Sequence, residues 1–227
     1  MIERIIIEGY RYFERLDLYP NAGLNILVGD NESGKSTFLE AVALALTGKV
    51  NGRWAQEELN PFWFNLEDVT QFFKLYNTPE RVPAPEILIE LYFEKNDEPQ
   101  RLRGVINSEG TDCPGVLMHI APSPSYEDEF AAYMAASPPR VLPVEFYEIS
   151  WRDFEDKMLA QRPKELATSF IDSRTIRSTS GVDYHTRQML SEHLKPDERV
   201  QISLAHRQAR QKITGKHSGT WASCRGE

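Results

Sequence analysis

Gly29-Asp30-Asn31-Glu32-Ser33-Gly34-Lys35-Ser36-Thr37 fits the phosphate-binding pattern G-x-x-x-x-G-K-[ST] at every fixed position. The apolar run Leu24 to Val28 leads into it and the apolar periodic stretch Phe38 to Leu46 leaves it. Strand, glycine-rich turn and helix start together predict a ring of backbone N–H groups, with the positive end of the helix dipole behind them, around a phosphate chain. Gly29 and Gly34 let the backbone turn tightly and approach the phosphates closely. Lys35 sets a point charge beside the β- and γ-phosphate oxygens, and the Ser36 hydroxyl is placed to ligate Mg²⁺. Thr37, one residue deeper in the helix, brings a second hydroxyl toward the α-phosphate. Asn31, Glu32 and Ser33 complete the loop, so the expected ligands are ATP and Mg²⁺.

Working outward toward the N-terminus, Ile2 to Glu8 is apolar and β-branched, and Gly9 breaks the run. Leu16 and Leu18 then alternate with Arg15, Asp17 and Tyr19 before Pro20. This predicts two short strands joined around Gly9 to Phe13. With Asn21-Ala22-Gly23 as a turn, Leu24 to Val28 is expected as a third strand, buried and entering the loop. Two strands ahead of the phosphate loop argue against a nucleotide kinase, which usually starts with the loop strand itself. Tyr10, Arg11, Tyr12 and Phe13 fit either a place beside the nucleotide or an edge-strand cluster covering the sheet.

On the other side, the helix through Phe38, Leu39, Ala41, Val42, Leu44 and Leu46 is apolar on more than one face, and Gly48 is placed to cap it. Asn51 to Asn65 mixes Gly52, Trp54, Asn60, Pro61, Phe62, Trp63 and Phe64, which suits a plug packed on the chain's own core or an interface. Leu66 to Tyr76 reads as a short helix. Pro79, Pro83 and Pro85 delay regular structure until Glu86. The alternating run from Ile87 to Phe93, then Arg101 to Asn107 and Gly115 to Ala121, predicts three consecutive strands with no helix between them. Such an order implies an antiparallel sheet beside the nucleotide site. Tyr126 to Ala136 is expected to be helical with Ser123 or Ser125 as its cap, and Val141 to Ile149 to be a further strand. The last third reads as helical, with helices over Tyr184 to Leu194 and from Pro196 toward Ile213. The charged residues Arg207, Arg210, Lys212 and Lys216 stand there without an acid among them. That stretch fits a phosphate-backbone contact or a solvated helix face. The division expected is a partial ATPase domain over 1–214, made of a phosphate-loop core (1–50), an antiparallel sheet region (86–150) and a helical region (164–214), followed by a disordered tail (215–227).

With 227 residues and a net charge of −8, the chain holds enough apolar content for a core and lacks a generally basic coat, so any DNA contact must be local. Cys113 and Cys224 lie far apart without metal-ligand spacing, which suits a reducing cytoplasm. No apolar stretch approaches a membrane-spanning length. Hydrolysis would further need a carboxylate at the end of an apolar strand. Phe170-Ile171-Asp172 is the nearest candidate, flanked by polar Thr168 and Ser169. Asp112-Cys113-Pro114-Gly115 gives a D-x-x-G with no N-K-x-D after it, which argues against a guanine-nucleotide switch.

The stretch Ile5 to Phe13, followed by Gly23 to Thr37 with Leu39-Glu40-Ala41, resembles the N-terminal lobe of ABC-type ATPases of the SMC, Rad50 and RecF kind. Asn60 to Asn65, Ile87 to Phe93 and Leu142 to Tyr147 resemble more specifically the overcoming-lysogenization-defect (OLD) nucleases and the related Gabija-type ATPases. The resemblance implies an α/β P-loop NTPase fold, the N-terminal lobe of an ABC-type head, with an antiparallel β-sheet region beside the nucleotide site and a helical C-terminal third. It carries over Gly29, Asn31, Gly34, Lys35, Ser36 and Thr37 as the nucleotide loop, Arg11 as a nucleotide-side residue, and Gln71 or Gln100 as the glutamine that senses Mg²⁺. Glu32 departs from the Gly or Asn common there. In such proteins heads dimerise and an acidic, metal-dependent Toprim domain cuts DNA. Here the signature motif, the acidic strand, the switch histidine and that domain have no counterpart, so the resemblance implies an N-terminal piece, cytoplasmic and incomplete for hydrolysis. The expected partners are ATP, a second head and DNA. A non-catalytic nucleotide-dependent module, using Trp54 to Phe64 and Arg199 to Lys216 to bind a protein or DNA, is the alternative.

Overall fold

The isoleucines of the first run are split between two sheet faces, as a strand requires. The computed structural model, which describes residues 1–50, 52–94, 100–136, 141–163, 166 and 201, places them in β1 (Ile2–Tyr10), paired antiparallel with β2 (Phe13–Leu18). The chain divides into two compact units, Met1–Thr168 and Ser169–Glu227. The elements below all lie in the first.

Downstream come α1 (Lys35–Thr47), the small hairpin of β3 (Lys49–Val50) and β4 (Arg53–Trp54), α2 (Ala55–Glu58) and α3 (Leu66–Leu75). Then follow β5 (Ile87–Phe93), β6 (Arg103–Gly104), β7 (Cys113–Pro122), α4 (Glu127–Ala136) and β8 (Tyr147–Asp153). The main sheet is antiparallel in the order β2-β1-β5-β7-β6, and β8 also pairs with β7. Consecutive strands without crossover helices give the antiparallel sheet that the pattern from Glu86 predicts.

Register explains the core. Ile7, Ile89, Met118 and Trp151 lie in one cross-strand row, and the same cluster takes in Phe38, Ala41, Leu44 and Ala45 of α1. These helix positions, i, i+3, i+6 and i+7, form the stripe that faces the sheet. Each fully buried large side chain stabilises the fold by about 1.5–3 kcal/mol. Of the remaining apolar side chains of this helix, Leu46 is buried and Val42 packs on the core, while Leu39 stays 46% exposed. Gly48 caps α1 in the left-handed conformation, its N–H donating to the Leu44 carbonyl at 2.8 Å. The Trp151 indole N–H reaches the last-turn carbonyl of Ala45 at 2.8 Å and ties helix to sheet. Trp151→Phe leaves that buried acceptor without its donor, and should lower stability by about 1–3 kcal/mol in urea melts with an unchanged slope.

Three expectations are corrected. Leu24 to Val28 forms no ladder, and its side chains are open, with Leu24 82%, Ile26 74% and Val28 89% exposed. β2 stops at Leu18, reciprocal bonds between Asn21 and Asn25 close a turn, and no described strand lies alongside to pair with the run. The strand expected over Arg101 to Asn107 shrinks to Arg103–Gly104, because the Asn107 side chain accepts from the amides of Glu109 and Thr111 and folds the chain into a loop. The strand expected from Val141 begins only at Tyr147, after the 3-10 turn Val144–Phe146 that Pro143 introduces, and runs on to Asp153.

The remaining predictions fare better. The helix near Tyr126 runs Glu127–Ala136, with Ser123 accepting from the Ser125 amide in the 3-10 turn before it. The aromatic stretch before Asn65 packs inward through Trp63, 2% exposed, and Phe64, 4% exposed, while Phe62 faces out. Cys113 is buried and unpaired. The helical, basic last third, Phe170-Ile171-Asp172 and Cys224 lie outside the described residues. No helix among the described residues is long and apolar enough to cross a membrane.

Candidate functional site

The phosphate loop is built where the left-handed residues its turn demands occur. Glu32 (φ 69°) and Gly34 (φ 86°) flank Ser33, whose amide donates to the Asp30 carbonyl at 3.3 Å. Glu32 thus holds a conformation that Gly or Asn would take at less cost. α1 starts immediately afterwards, and its first intrahelical bond runs from the Phe38 amide to the Gly34 carbonyl at 2.8 Å. The amides of Lys35, Ser36 and Thr37 precede that bond and stand at the positive end of the helix dipole.

The loop closes round the Lys35 ammonium, which donates to the carbonyls of Gly29 at 2.7 Å and Asp30 at 2.5 Å and to the Ser33 hydroxyl at 3.2 Å. A β-carbon on Gly29 would lie 2.6 Å from the Ser33 hydroxyl. One on Gly34 would press on Phe13 at 3.2 Å and Tyr12 at 3.3 Å. The left-handed backbone at Gly34 is what calls for glycine there, and at Gly29 a side chain would have to displace the Ser33 hydroxyl. Asn31, Glu32, Ser33 and Ser36 are exposed, and Gly34, Lys35 and Thr37 are half-buried.

The hairpin turn between β1 and β2 leans on this loop through Tyr12 and Phe13 and carries Arg11 beside α1. One guanidinium nitrogen of Arg11 (Nη2) lies 2.7 Å from Oε1 of Glu40, and the Tyr10 hydroxyl donates to the same oxygen at 2.5 Å. Burial first, then the Glu40 charge, pushes the Tyr10 hydroxyl well above its ordinary value, so it remains a donor. Glu40 escaped sequence reasoning as a site residue. It is the one charged residue between Phe38 and Thr47, and a carboxylate on such an apolar helix calls for a cationic partner. Asn65 escaped too, because an N-cap at the head of α3 accounts for it without any second bond. Of the two candidate glutamines, Gln71 is exposed on α3. The side chain of Gln100 lies outside the description.

The residues present fit a nucleotide triphosphate. The backbone amides of residues 34 to 37 and the Lys35 ammonium suit its phosphates, and the Ser36 hydroxyl is of the chemistry that holds Mg²⁺ beside them. Among the described residues no group of three or more His, Cys, Asp or Glu is placed to hold a metal by itself.

Comparison with known proteins points the same way. RecF, a DNA replication and repair protein of Desulforudis audaxviator, is 49% identical over 47 residues, 21% of this chain and 13% of its own length. RecF of Vibrio atlanticus is 39% identical over 62 residues, 25% of this chain and 17% of its own. The DNA double-strand break repair Rad50 ATPase of Methanopyrus kandleri is 48% identical over 46 residues, 20% of this chain and 5% of its own. The chain thus covers less than a fifth of the length of these curated relatives. A chain solved in work on ATP-driven dimerization and DNA-stimulated activation of SMC ATPases shares 17% identity at a TM-score of 0.35, over 90% of this chain and 98% of its own. The family model described as AAA domain matches residues 4–219. The chain belongs to the AAA domain family and has an α/β P-loop NTPase fold.

Proposed function

We propose that the chain is the ATP-binding N-terminal portion of an ABC-type ATPase head from an OLD-like DNA-processing or anti-phage nuclease, incomplete for hydrolysis by itself. The observation that carries the nucleotide part is the Lys35 ammonium held at the centre of the loop of residues 29–34, at the N-terminus of α1. In this reading 1–214 is a single partial ATPase domain, working in the cytoplasm. Gly29, Asn31, Glu32, Ser33, Gly34, Lys35 and Thr37 wrap the phosphates, Ser36 ligates Mg²⁺, and Arg11 sits on the nucleotide side. Bound Mg²⁺ would neutralise charge on the β- and γ-phosphate oxygens.

Incompleteness is supported by the run Leu24 to Val28, whose apolar side chains stand exposed just before the loop. Exposed branched side chains in a run that pairs with no strand among the described residues ask for neighbouring strands. A head completed by them would position the loop and supply the carboxylate that hydrolysis needs. Pairing of two heads belongs to the same reading, as does a DNA partner, by analogy with the DNA-repair relatives RecF and Rad50.

Phosphate release separates binding from turnover. The chain alone should bind MgATP and turn it over far more slowly than about one per second, in the lower range of enzyme rates. Fusion to a segment supplying an acidic strand and a signature motif should raise the rate at least tenfold. Turnover near one per second by the unaided chain would overturn the incompleteness and leave the nucleotide site standing.

A further inference from the structure

Arg11 adopts a left-handed backbone, φ 49°, at the tip of the β1–β2 hairpin. Residues other than glycine hold such a conformation where their surroundings over-determine it, and such places cluster at functional sites. Here the surroundings are specific. The Arg11 amide donates to the Trp63 carbonyl at 2.7 Å, and its carbonyl accepts from Asn65 Nδ2 at 3.0 Å. Its guanidinium pairs with Glu40 at 2.7 Å and lies over the Tyr10 ring at 5.6 Å from the centroid. Its Nε is enclosed with no partner among the described residues.

Asn65 is the buried member of this set, 5% exposed. Its Oδ1 accepts from the amides of Glu67 at 2.9 Å and Asp68 at 3.3 Å, which caps α3. Its own amide donates to the Gly9 carbonyl at 2.8 Å. The acceptor end of the side chain therefore serves the helix and the donor end serves the arginine turn. An N-cap needs only the acceptor, so the cap does not explain the second bond.

We propose that Asn65 is a positioning residue for Arg11. Through Nδ2 it fixes the carbonyl of the left-handed turn, presents the guanidinium at the flank of α1 for a nucleotide phosphate, and ties that turn to α3. The proposal rests on the placement of Arg11 on the nucleotide side. Asn65 touches no phosphate itself, so it acts on binding only through Arg11.

Asn65→Asp tests this, because one carboxylate oxygen still caps α3 while the other sets a charged acceptor, in place of the donor, against the Arg11 carbonyl. Asn65→Ser, which keeps a short capping oxygen and cannot span to the turn, is the second variant should the first fail to fold. MgATP affinity is measured by fluorescence titration for Asn65→Asp, Arg11→Ala and the double variant, with unfolding midpoints alongside. We expect Arg11→Ala and Asn65→Asp each to weaken binding about tenfold, the scale of one charge-assisted contact, and the double variant to be no weaker than Arg11→Ala alone. Unchanged affinity in both asparagine variants beside a weakened Arg11→Ala, or strictly additive losses, would overturn the positioning role while Arg11 keeps its place. Unchanged affinity in Arg11→Ala would remove both, while loss of binding on substitution of Lys35 would still uphold the phosphate loop.

Discussion

Lys35→Ala should weaken MgATP binding by a hundredfold or more, about 3 kcal/mol, as expected when a charge-assisted contact to phosphate is removed from a preorganised site. The ammonium is held by three loop acceptors, the carbonyls of Gly29 and Asp30 and the Ser33 hydroxyl. Its loss therefore removes both the positive charge and the post around which residues 29 to 33 are arranged. Stability should change little, because the loop is exposed and outside the core. Calorimetric titration with MgATP, alongside a thermal melt, checks both halves. Affinity within threefold of the parent would show that the triphosphate does not rest on this lysine.

The second large effect is on folding. Gly9→Ala should destabilise the protein by about 3 kcal/mol or more, at the upper end for a single methyl group. Gly9 is left-handed, φ 67°, and a β-carbon there would lie 2.0 Å from the Glu86 carbonyl oxygen. A left-handed non-glycine costs about 1–2 kcal/mol by itself, and the collision is with backbone at the entry to β5, which cannot rotate away. Gly9 also accepts the Asn65 amide, so the strain enters where sheet, hairpin turn and α3 meet. Urea unfolding measures it, and a loss under about 0.5 kcal/mol, the size of an ordinary surface change, would mean that the approach of β1 to β5 is looser than described.

These two positions were legible in the sequence to different degrees. The lysine is fixed by a motif whose every constant position has a stereochemical reason. The glycine reads only as a break in an apolar run, because its collision partner, Glu86, is remote in the chain. β2 and β5 follow from period-2 alternation, β1 from an apolar, β-branched run, and α1 from its apolar periodicity and the glycine at its end. Leu24 to Val28 misled for a physical reason, since an apolar β-branched run records that a strand needs partners on both sides and not which residues provide them. Pro143 misled in the opposite direction, by starting a 3-10 turn inside what composition marks as strand. Glu40 and Asn65 define the setting of Arg11 through long-range contacts, and local pattern carries no record of such pairings. A lone carboxylate on an apolar helix was the available signal for the first, and a buried asparagine has no comparable mark.

The triphosphate at the amino end of α1 is tested most directly by amide chemical shifts. On titration with MgATP, the N–H resonances of Gly34, Lys35, Ser36 and Thr37 should move most and together, with Arg11 following, while amides in β7 and β8 stay in place. Saturating nucleotide that leaves those four amides unmoved, or that shifts a different surface of the protein, would contradict the account at its root.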